Sequence, residues 1–205
     1  MKHVRFLSFW LLLALGTATV CGQDNTSTTD KGVVINGVKW ATRNVDAPGT
    51  FAANPEDAGM FYQWNRKKAW AVTGEVTGWD ATYPQGDSWA KSNDPSPVGW
   101  HVPTGEDIKK LLDASKVRAE WTSENGVPGE KFTDKATGNS IFLPAVGARK
   151  NSNNPEGAGT EGNCWSSSES GMSALASGFN FNNDVNPTVS QSHRRSALSV
   201  RPVAD

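Results

Sequence analysis

A set of side chains between residues 170 and 195 could form a surface that recognises a ligand by hydrogen bonding. Most are Ser, Asn, Thr or Gln, and apolar residues separate them. Short polar side chains adapt their hydrogen bonds to a partner when a rigid scaffold holds them. A polar strand face with solvated loops fits the same pattern equally well. The candidate residues are Ser170, Met172, Ser173, Ser177, Asn180, Asn182, Thr188, Ser190, Gln191, His193 and Arg195.

Three of these residues could contribute more than polarity. Met172 and His193 would serve as apolar and aromatic anchors for a partner. Arg195 could form a pair of hydrogen bonds with an acidic group. The chemistry suits a protein or a glycan as the ligand and does not identify which.

Cys164 is the thiol that a catalytic interpretation would use. A nucleophilic cysteine needs a base that generates the thiolate, and the available histidines are His101 and His193. No local pattern links either of them to the cysteine, and a zinc site would need more Cys and His ligands. We expect Cys164 to be a small, partly buried strand residue, with a hydrolase or oxidoreductase that uses it as the alternative.

Other motifs favour turns over chemistry. Residues 157–162 fit the dinucleotide pattern G-x-G-x-x-G, but neither flank predicts the strand and helix that the pattern requires. Oxygen-bearing loops at residues 54–56, 154–156 and 183–184 could contact Ca²⁺, which needs six to eight oxygens. Their spacing matches no known calcium loop. We therefore predict no metal or other cofactor, and calcium remains an alternative.

The elements at the start of the predicted domain can be read from turn and cap signals. Residues 33–41 predict a hairpin, because Asn36-Gly37 suits a two-residue turn between β-branched and aromatic arms. A helix is predicted to begin after Thr104, with Asp107 as its capping-box partner and an apolar stripe that follows. Residues 61–70 predict a second helix.

The second half of the chain predicts short strands and turns. Residues 140–144, 164–166, 178–181 and 198–203 have strand character, and residues 151–162 predict a loop. Phe179 and Phe181 should point into the core between outward-facing Ser177, Asn180 and Asn182. Few helices, short antiparallel strands and long loops indicate the α+β class.

Composition bounds the function. The chain has 205 residues, with 20 Lys and Arg against 21 Asp and Glu. A net charge of −1 excludes the basic surface of a nucleic-acid-binding domain. Nine Trp residues are unlike a disordered chain, and Trp40, Trp64, Trp100 and Trp165 are core candidates.

The N-terminus predicts export. Residues 1–20 combine a basic start with an apolar run too short to span a bilayer, which is typical of a signal peptide. Cys21 follows small residues, as in a bacterial lipoprotein signal, and cleavage after Gly22 is the alternative. Residues 21–31 would be a polar tether, and residues 32–205 the domain. The protein would then be an outer-membrane or cell-surface lipoprotein held only by its lipid, or else periplasmic or secreted.

Six segments resemble those of a known family. They are INGVKWATRNV at residues 35–45, GMFYQW at 59–64, SPVGWHVPT at 96–104, LPAVGAR at 143–149, WSSS at 165–168 and SVRPV at 199–203. In this order they are similar to the Fibrobacter succinogenes major paralogous domain family of exported proteins. The resemblance implies a C-type-lectin-like fold related to formylglycine-generating enzymes, usually without catalysis. The paired active-site cysteines of those enzymes have no counterpart here, so their activity is not expected.

The tail at residues 165–203 resembles the variable proteins of diversity-generating retroelements. In those proteins, mutagenesis of Asn-type codons rewrites scattered surface positions that bind ligand. The resemblance favours an exported, non-enzymatic adhesin or receptor whose recognition surface can be diversified, on a C-type-lectin-like scaffold. A structural cell-envelope or fimbrial subunit is the alternative.

Overall fold

Two tight hairpins turn on Asn-Gly pairs. In the computed structural model, which describes residues 29–205, Asn36 and Gly37 have φ values of 45° and 79°. Asn125 and Gly126 have values of 48° and 82°. Both residues of each pair adopt the left-handed conformation that a two-residue turn between twisted antiparallel strands requires. The first hairpin confirms the prediction, and the second carries the same sequence signal.

Short strands dominate the described residues. The α-helix α1 spans Gly105–Leu111, and a 3₁₀ helix spans Lys91–Asn93. The strands in chain order are β1 (Val33–Ile35), β2 (Val38–Trp40), β3 (Phe61–Gln63), β4 (Ala69–Trp70), β5 (Trp100–His101), β6 (Val117–Glu124), β7 (Val127–Asp134), β8 (Ser140–Pro144), β9 (Val146–Ala148), β10 (Glu156–Ala158), β11 (Glu161–Glu169), β12 (Leu175–Asn182), β13 (Thr188–His193), β14 (Ala197–Leu198) and β15 (Val203–Ala204).

The strands form four sheets. A five-stranded sheet has the order β10-β9-β11-β12-β13, and a four-stranded sheet the order β1-β2-β15-β5. The three-stranded sheets are β14-β3-β4 and β6-β7-β8. Most neighbours are antiparallel, and β11 with β9 is a parallel pair. The C-terminal strands β14 and β15 join different sheets, so the end of the chain connects the sheet β14-β3-β4 to the four-stranded sheet.

The α+β, C-type-lectin-like prediction is wrong. Strands hold 41% of residues 29–205 and helices 6%, which makes the structure mostly β and similar to a sandwich. The second predicted helix forms β3 and β4 instead, with Phe61 opposite Trp70. Asn65 in the turn between them has a φ of 54°, a left-handed conformation that an α-helix does not contain.

Some predicted boundaries also change. Residues 140–144 form β8 as predicted. The predicted loop at 151–162 contains β10 and the first residues of β11. The segment at 198–203 is divided between β14 and β15. Turn-rich composition hid β10 and the start of β11, although both pair with a neighbouring strand. Strands β14 and β15 instead gain their pairing from strands distant in sequence.

Helix α1 confirms its predicted cap. The Thr104 hydroxyl accepts a hydrogen bond from the Asp107 backbone N–H at 3.2 Å. The Asp107 carboxylate accepts one from the Thr104 backbone N–H at 2.9 Å. Ile108 and Leu111 are buried on the inner side of the helix, so the apolar stripe packs as its spacing predicts.

Phe179 and Phe181 lie in the core, as predicted. Both are fully buried. Each ring centroid lies 6.3 Å from that of Phe132 on β7, in an edge-to-face arrangement. The contact joins the five-stranded sheet to the sheet β6-β7-β8. It therefore fixes β12, the strand that carries Ser177, Asn180 and Asn182 of the predicted recognition set.

Four tryptophans were candidates for the core. Trp40, Trp64 and Trp165 are fully buried. Trp100 is half-buried and packs against the edge of Phe51 at 5.6 Å between ring centroids. The buried indoles replace much of the core that long helices would supply in an α+β domain.

Three arginines, Arg149, Arg194 and Arg201, are buried against loops. The Arg149 guanidinium donates to the backbone oxygen of Ala71 at 2.7 Å. Arg201 donates to the backbone oxygen of Phe142 at 3.0 Å. Burial lowers the pKa of Arg201 to about 10, so the group remains charged near neutral pH. These side chains supply donors to backbone carbonyl groups of both loops and strands.

The described chain begins in the segment predicted as a tether. Asp30 accepts hydrogen bonds from the backbone N–H and the hydroxyl of Thr42, at 3.0 and 2.8 Å. The domain thus includes residues before the predicted start at 32. The predicted signal peptide and Cys21 lie outside the described residues. No helix within 29–205 has the length and apolar character needed to cross a bilayer.

Glu130 on β7 generates a prediction about stability. Burial, with the nearby Glu120 carboxylate, raises the pKa of Glu130 from 4.5 to about 7. The folded protein therefore holds this proton to higher pH than the unfolded chain, and stability falls as the pH rises through that interval. We expect Glu130→Gln to raise the free energy of unfolding above neutral pH by about 1–3 kcal/mol, with the gain disappearing below about pH 4.5.

Urea denaturation across this pH range measures the effect. The exposed Glu75→Gln variant is the matched control, because it removes the same charge from a loop. A Glu130→Gln variant that is less stable than the parent at every pH would contradict the prediction.

Candidate functional site

The strand register divides the predicted recognition residues between two faces. Residues directly opposite one another in antiparallel strands share a face. Ser177 lies opposite Gln191, on the same side of β12 as Phe179. Asn180 lies opposite Thr188, on the other side. Side chains two positions apart in a strand point to the same side. Ser177 therefore points to the side of Phe179, and Asn180 and Asn182 point to the other side. The expectation that all three point outward together is wrong.

Other predicted residues lie at the ends of the β12–β13 hairpin. Ser170, Met172 and Ser173 lie in the loop that leads into β12, at the end where Leu175 pairs with His193. Arg195 follows β13 at this same end. Asn182 lies at the opposite end, and Ser190 is opposite Gly178 in the middle. The structure thus brings together only part of the predicted set.

Several predicted residues use their polar groups inside the protein. The Asn182 side-chain oxygen accepts hydrogen bonds from the backbone N–H groups of Asp184 and Val185, at 2.9 and 3.0 Å. The Ser177 hydroxyl donates to the backbone oxygen of Glu169 at 2.8 Å. These contacts shape loops and compete with any contact to a ligand.

The residues at the His193 end line a groove of about 680 Å³. Its walls combine aromatic, cationic and amide side chains from four separate segments of the chain. From the predicted set it contains Gln191, His193 and Arg195. The residues that use these chemistries are Trp79, Lys150, Asn151, Gln191, His193 and Arg195. We call this feature the first groove.

Tyr83 holds two of the predicted side chains in place. The Arg195 guanidinium lies 5.3 Å from the centroid of the Tyr83 ring, a cation–π distance. The His193 ring packs edge-on against the same ring, with its Nδ1 3.4 Å from the Tyr83 hydroxyl. Arg195 and His193 are exposed. Their shared contact with Tyr83 reduces the conformational freedom that they would lose on binding.

Arg194 anchors the loop that carries Tyr83. Its guanidinium donates to the backbone oxygens of Leu175 at 2.9 Å and Gly86 at 2.8 Å. It also lies 4.3 Å from the centroid of the Trp64 ring. Arg194 is buried whereas Arg195 is exposed. Neighbouring arginines therefore have different tasks, one holding the loop and the other facing the groove.

A buried amide links the two walls of the first groove. The Gln63 side-chain nitrogen donates to the backbone oxygens of Asp80 and Arg195, at 2.6 and 2.7 Å. Hydrogen bonds from Thr82 and the guanidinium of Arg66 hold the pKa of Asp80 below its usual value. The Asp80 carboxylate is thus already bonded to Thr82 and Arg66.

Trp79 forms an aromatic wall of the groove. Its ring packs against that of Trp70, with centroids 4.8 Å apart, and it remains partly exposed. The Lys68 ammonium lies 4.0 Å from the Trp70 centroid, on this same aromatic pair. Such a supported indole can offer a flat apolar surface to a ligand.

The charge of the groove is positive. The Lys150 ammonium pairs with Glu156 at 2.6 Å, and this hydrogen bond raises the pKa of Lys150. No carboxylate within residues 29–205 lies in ion-pair distance of the Arg195 guanidinium. The Arg195 guanidinium is therefore available to donate hydrogen bonds to an anionic group.

Cys164 is buried in β11. Burial raises the pKa of its thiol to about 12, although the Arg201 charge acts in the opposite direction. The thiol is thus protonated near neutral pH, which does not suit a nucleophile. Burial is more complete than the partly buried position that we predicted. No group of three or more His, Cys, Asp or Glu residues in the described part of the chain is arranged to hold a metal.

The position of Trp79, Tyr83 and Lys150 in or beside the first groove is not visible in the sequence pattern at 170–195. Trp79 and Tyr83 are aromatic residues in a segment otherwise rich in turn residues. Because such segments usually lie at the surface, this composition is the signal that could have indicated exposed aromatic side chains. Their distance from β13 in sequence hides their contact with it.

No protein-family model, curated protein or solved structure matches the chain. The resemblance to the paralogous-domain family and to retroelement variable proteins therefore remains a prediction.

The contacts of Arg194 generate a prediction. We expect Arg194→Lys to lower the free energy of unfolding by about 2–4 kcal/mol, because lysine cannot hold both loop carbonyls and the ring of Trp64 together. Hydrogen exchange should also accelerate across residues 79–86. Urea denaturation and hydrogen–deuterium exchange measure the two effects.

The neighbouring Arg195→Lys variant is the control and should leave both quantities near those of the parent. Equal losses in the two variants would contradict the distinction between the buried and the exposed arginine.

Proposed function

We propose that this protein is an exported, non-enzymatic binding protein that recognises an acidic group of a protein or glycan ligand in the first groove. One observation carries the proposal. The exposed Arg195 guanidinium is held over Tyr83, without an ion-pair partner among residues 29–205, beside the partly exposed ring of Trp79. A cation that is positioned and unpaired favours the binding of a carboxylate, sulfate or phosphate.

An exposed apolar side chain at the same end of the β12–β13 hairpin as the first groove supports the proposal. Met172, in the loop that leads into β12, is 52% exposed. Large apolar side chains that face solvent beside polar groups are typical of an interaction surface. Met172 would then contribute the apolar contact that we expected of it, from the loop that precedes β12.

The buried thiol also favours binding over catalysis. Cys164 is the residue that the enzymatic alternative needs, and its raised pKa opposes thiolate formation. The proposal does not require diversification of the surface. It is compatible with diversification, because the side chains in the first groove differ from those that hold the scaffold.

A structural subunit is the second candidate. Strand β13 lies at the edge of the five-stranded sheet, and an unpaired strand edge can accept a strand from another chain. Assembly of the purified protein through this edge would favour that function. Sedimentation would then show concentration-dependent polymers.

A binding experiment tests the proposed function. The purified protein would be applied to arrays of acidic and neutral glycans and peptides, and the retained ligands measured by calorimetry. We expect Arg195→Gln to lower the affinity for the retained acidic ligand by about 10- to 100-fold, since a charge-assisted hydrogen bond contributes about 1.5–3 kcal/mol.

Arg118→Gln is the matched control, because Arg118 is exposed on β6 in a different sheet. It should bind as the parent does, and both variants should keep the parental melting temperature. Retention of neutral ligands alone, or equal affinity in the parent and Arg195→Gln, would contradict the proposal.

A further inference from the structure

Glu130 is a buried residue whose carboxylate has no ion-pair partner among residues 29–205. The residue is only 3% exposed. Its neighbours across the sheet are Trp121 on β6 and Leu143 on β8. Within residues 29–205, no hydrogen bond or ion pair to this carboxylate accompanies its burial. Carboxylates are rarely buried without a partner, because the ionised form loses its hydration.

The carboxylate lies at a cavity of about 480 Å³, which we call the second groove. This groove is at the far end of the β12–β13 hairpin from the first, where β12 leads into the loop at residues 183–187. Its polar and aromatic lining comes from β6, β7 and this loop. The residues that matter are Trp121, Glu130, Asn182, Asn183, Asp184 and Asn186.

Asn182 fixes the loop that brings Asp184 to the second groove. Its side-chain oxygen accepts hydrogen bonds from two consecutive backbone N–H groups of the loop, as described above. A second carboxylate, that of Asp184, is thereby held at the groove that Glu130 lines. Glu120 lies close enough to Glu130 to act on its charge. Among residues 29–205, the lining of the second groove thus contains two carboxylates and no cationic side chain.

The lining suits an organic cation better than a metal ion. Ca²⁺ needs six to eight oxygen ligands, whereas two carboxylates line the groove and the Asn182 oxygen is already occupied. The partly buried Trp121 ring adds a surface that attracts an ammonium or a guanidinium by cation–π interaction. We propose that the second groove binds an alkylammonium or guanidinium group, with Glu130 as its main carboxylate and Asp184 and Trp121 as flanking contacts.

The titration of Glu130 agrees with this site. Desolvation, reinforced by Glu120, raises the pKa of Glu130 to about 7. Among the titratable groups, Asp184 lines the same groove as Glu130. Glu120 and Lys131 lie opposite one another and therefore point to the other side of the sheet from Glu130. There Glu120 also pairs with Arg118 at 3.6 Å. A bound cation would restore the partner that the carboxylate lacks, so the ionised form would be favoured on binding. The site is independent of the first groove and of the proposed function.

The test uses a charged probe and an uncharged probe of similar shape. The charged probe is Nα-acetyl-lysine methylamide, which keeps its side-chain ammonium, and the uncharged probe is Nα-acetyl-norleucine methylamide. Each would be titrated into the full protein at millimolar concentrations. The signals of the Trp indole N–H groups in NMR spectra would report binding. At about pH 8 we expect saturable binding of the lysine probe that is at least about 10-fold tighter than that of the norleucine probe.

Two changes should abolish this preference. Glu130→Gln should lower the affinity for the lysine probe about 10-fold or more, whereas Glu75→Gln should leave that affinity unchanged. For the parent protein, lowering the pH to about 5.5 should weaken the probe by up to about 30-fold, because a carboxylate with a pKa of about 7 is then mostly protonated. This pH dependence tests the same charge without a substitution.

Three results would overturn the inference. One is the absence of saturable binding of the lysine probe, and another is equal binding of both probes. The third is a response to CaCl₂ that Glu130→Gln removes while the lysine probe gives none, which would make the groove a metal site. Thermal melting of each variant confirms that it is folded, and Asp184→Asn, on an exposed loop residue, provides a second variant that should weaken the lysine probe.

Discussion

Buried guanidinium groups hold the loops of this protein to its short strands. Most strands contain two or three residues outside the two larger hairpins, so many backbone oxygens have no partner in a sheet. Arg149, Arg194 and Arg201 supply donors to backbone oxygens of both loops and strands from fully enclosed positions. Each arginine offers several N–H groups in a fixed plane, which lets one side chain bind loops distant in sequence. Cys164 is a free thiol, so packing and these hydrogen bonds stabilise residues 29–205 without a disulfide.

This arrangement separates the groups that hold the fold from those that line the grooves. Arg194 is enclosed by carbonyls and the Trp64 ring, while Arg195, the next residue, faces the first groove. Near the other end of the same hairpin, Glu130 of β7 is buried and has no ion-pair partner among residues 29–205. The two grooves thus have opposite charge, one centred on a guanidinium and the other on a carboxylate. A protein surface that presents both would recognise ligands by electrostatic complementarity as well as by shape.

Local signals predicted local structure well. The Asn36-Gly37 turn, the capping box at Thr104 and the inward position of Phe179 each depend on residues close in sequence, and each is confirmed. The fold class was wrong because strand pairing depends on distant partners, and an aromatic segment such as residues 61–70 suits a helix or a hairpin equally. The first groove could be predicted only in part, since sequence alone does not reveal that Tyr83 supports Arg195.

The central claim is that the groove side chains can change while the buried arginines cannot. Protease resistance of two displayed libraries tests it directly, one randomised at residues 172, 191, 193 and 195 and the other at 149, 194 and 201. The account predicts that most members of the first library resist proteolysis as the parent does, whereas resistant members of the second keep arginine at all three positions. Equal loss of resistance in both libraries, or many resistant members without the buried arginines, would contradict it.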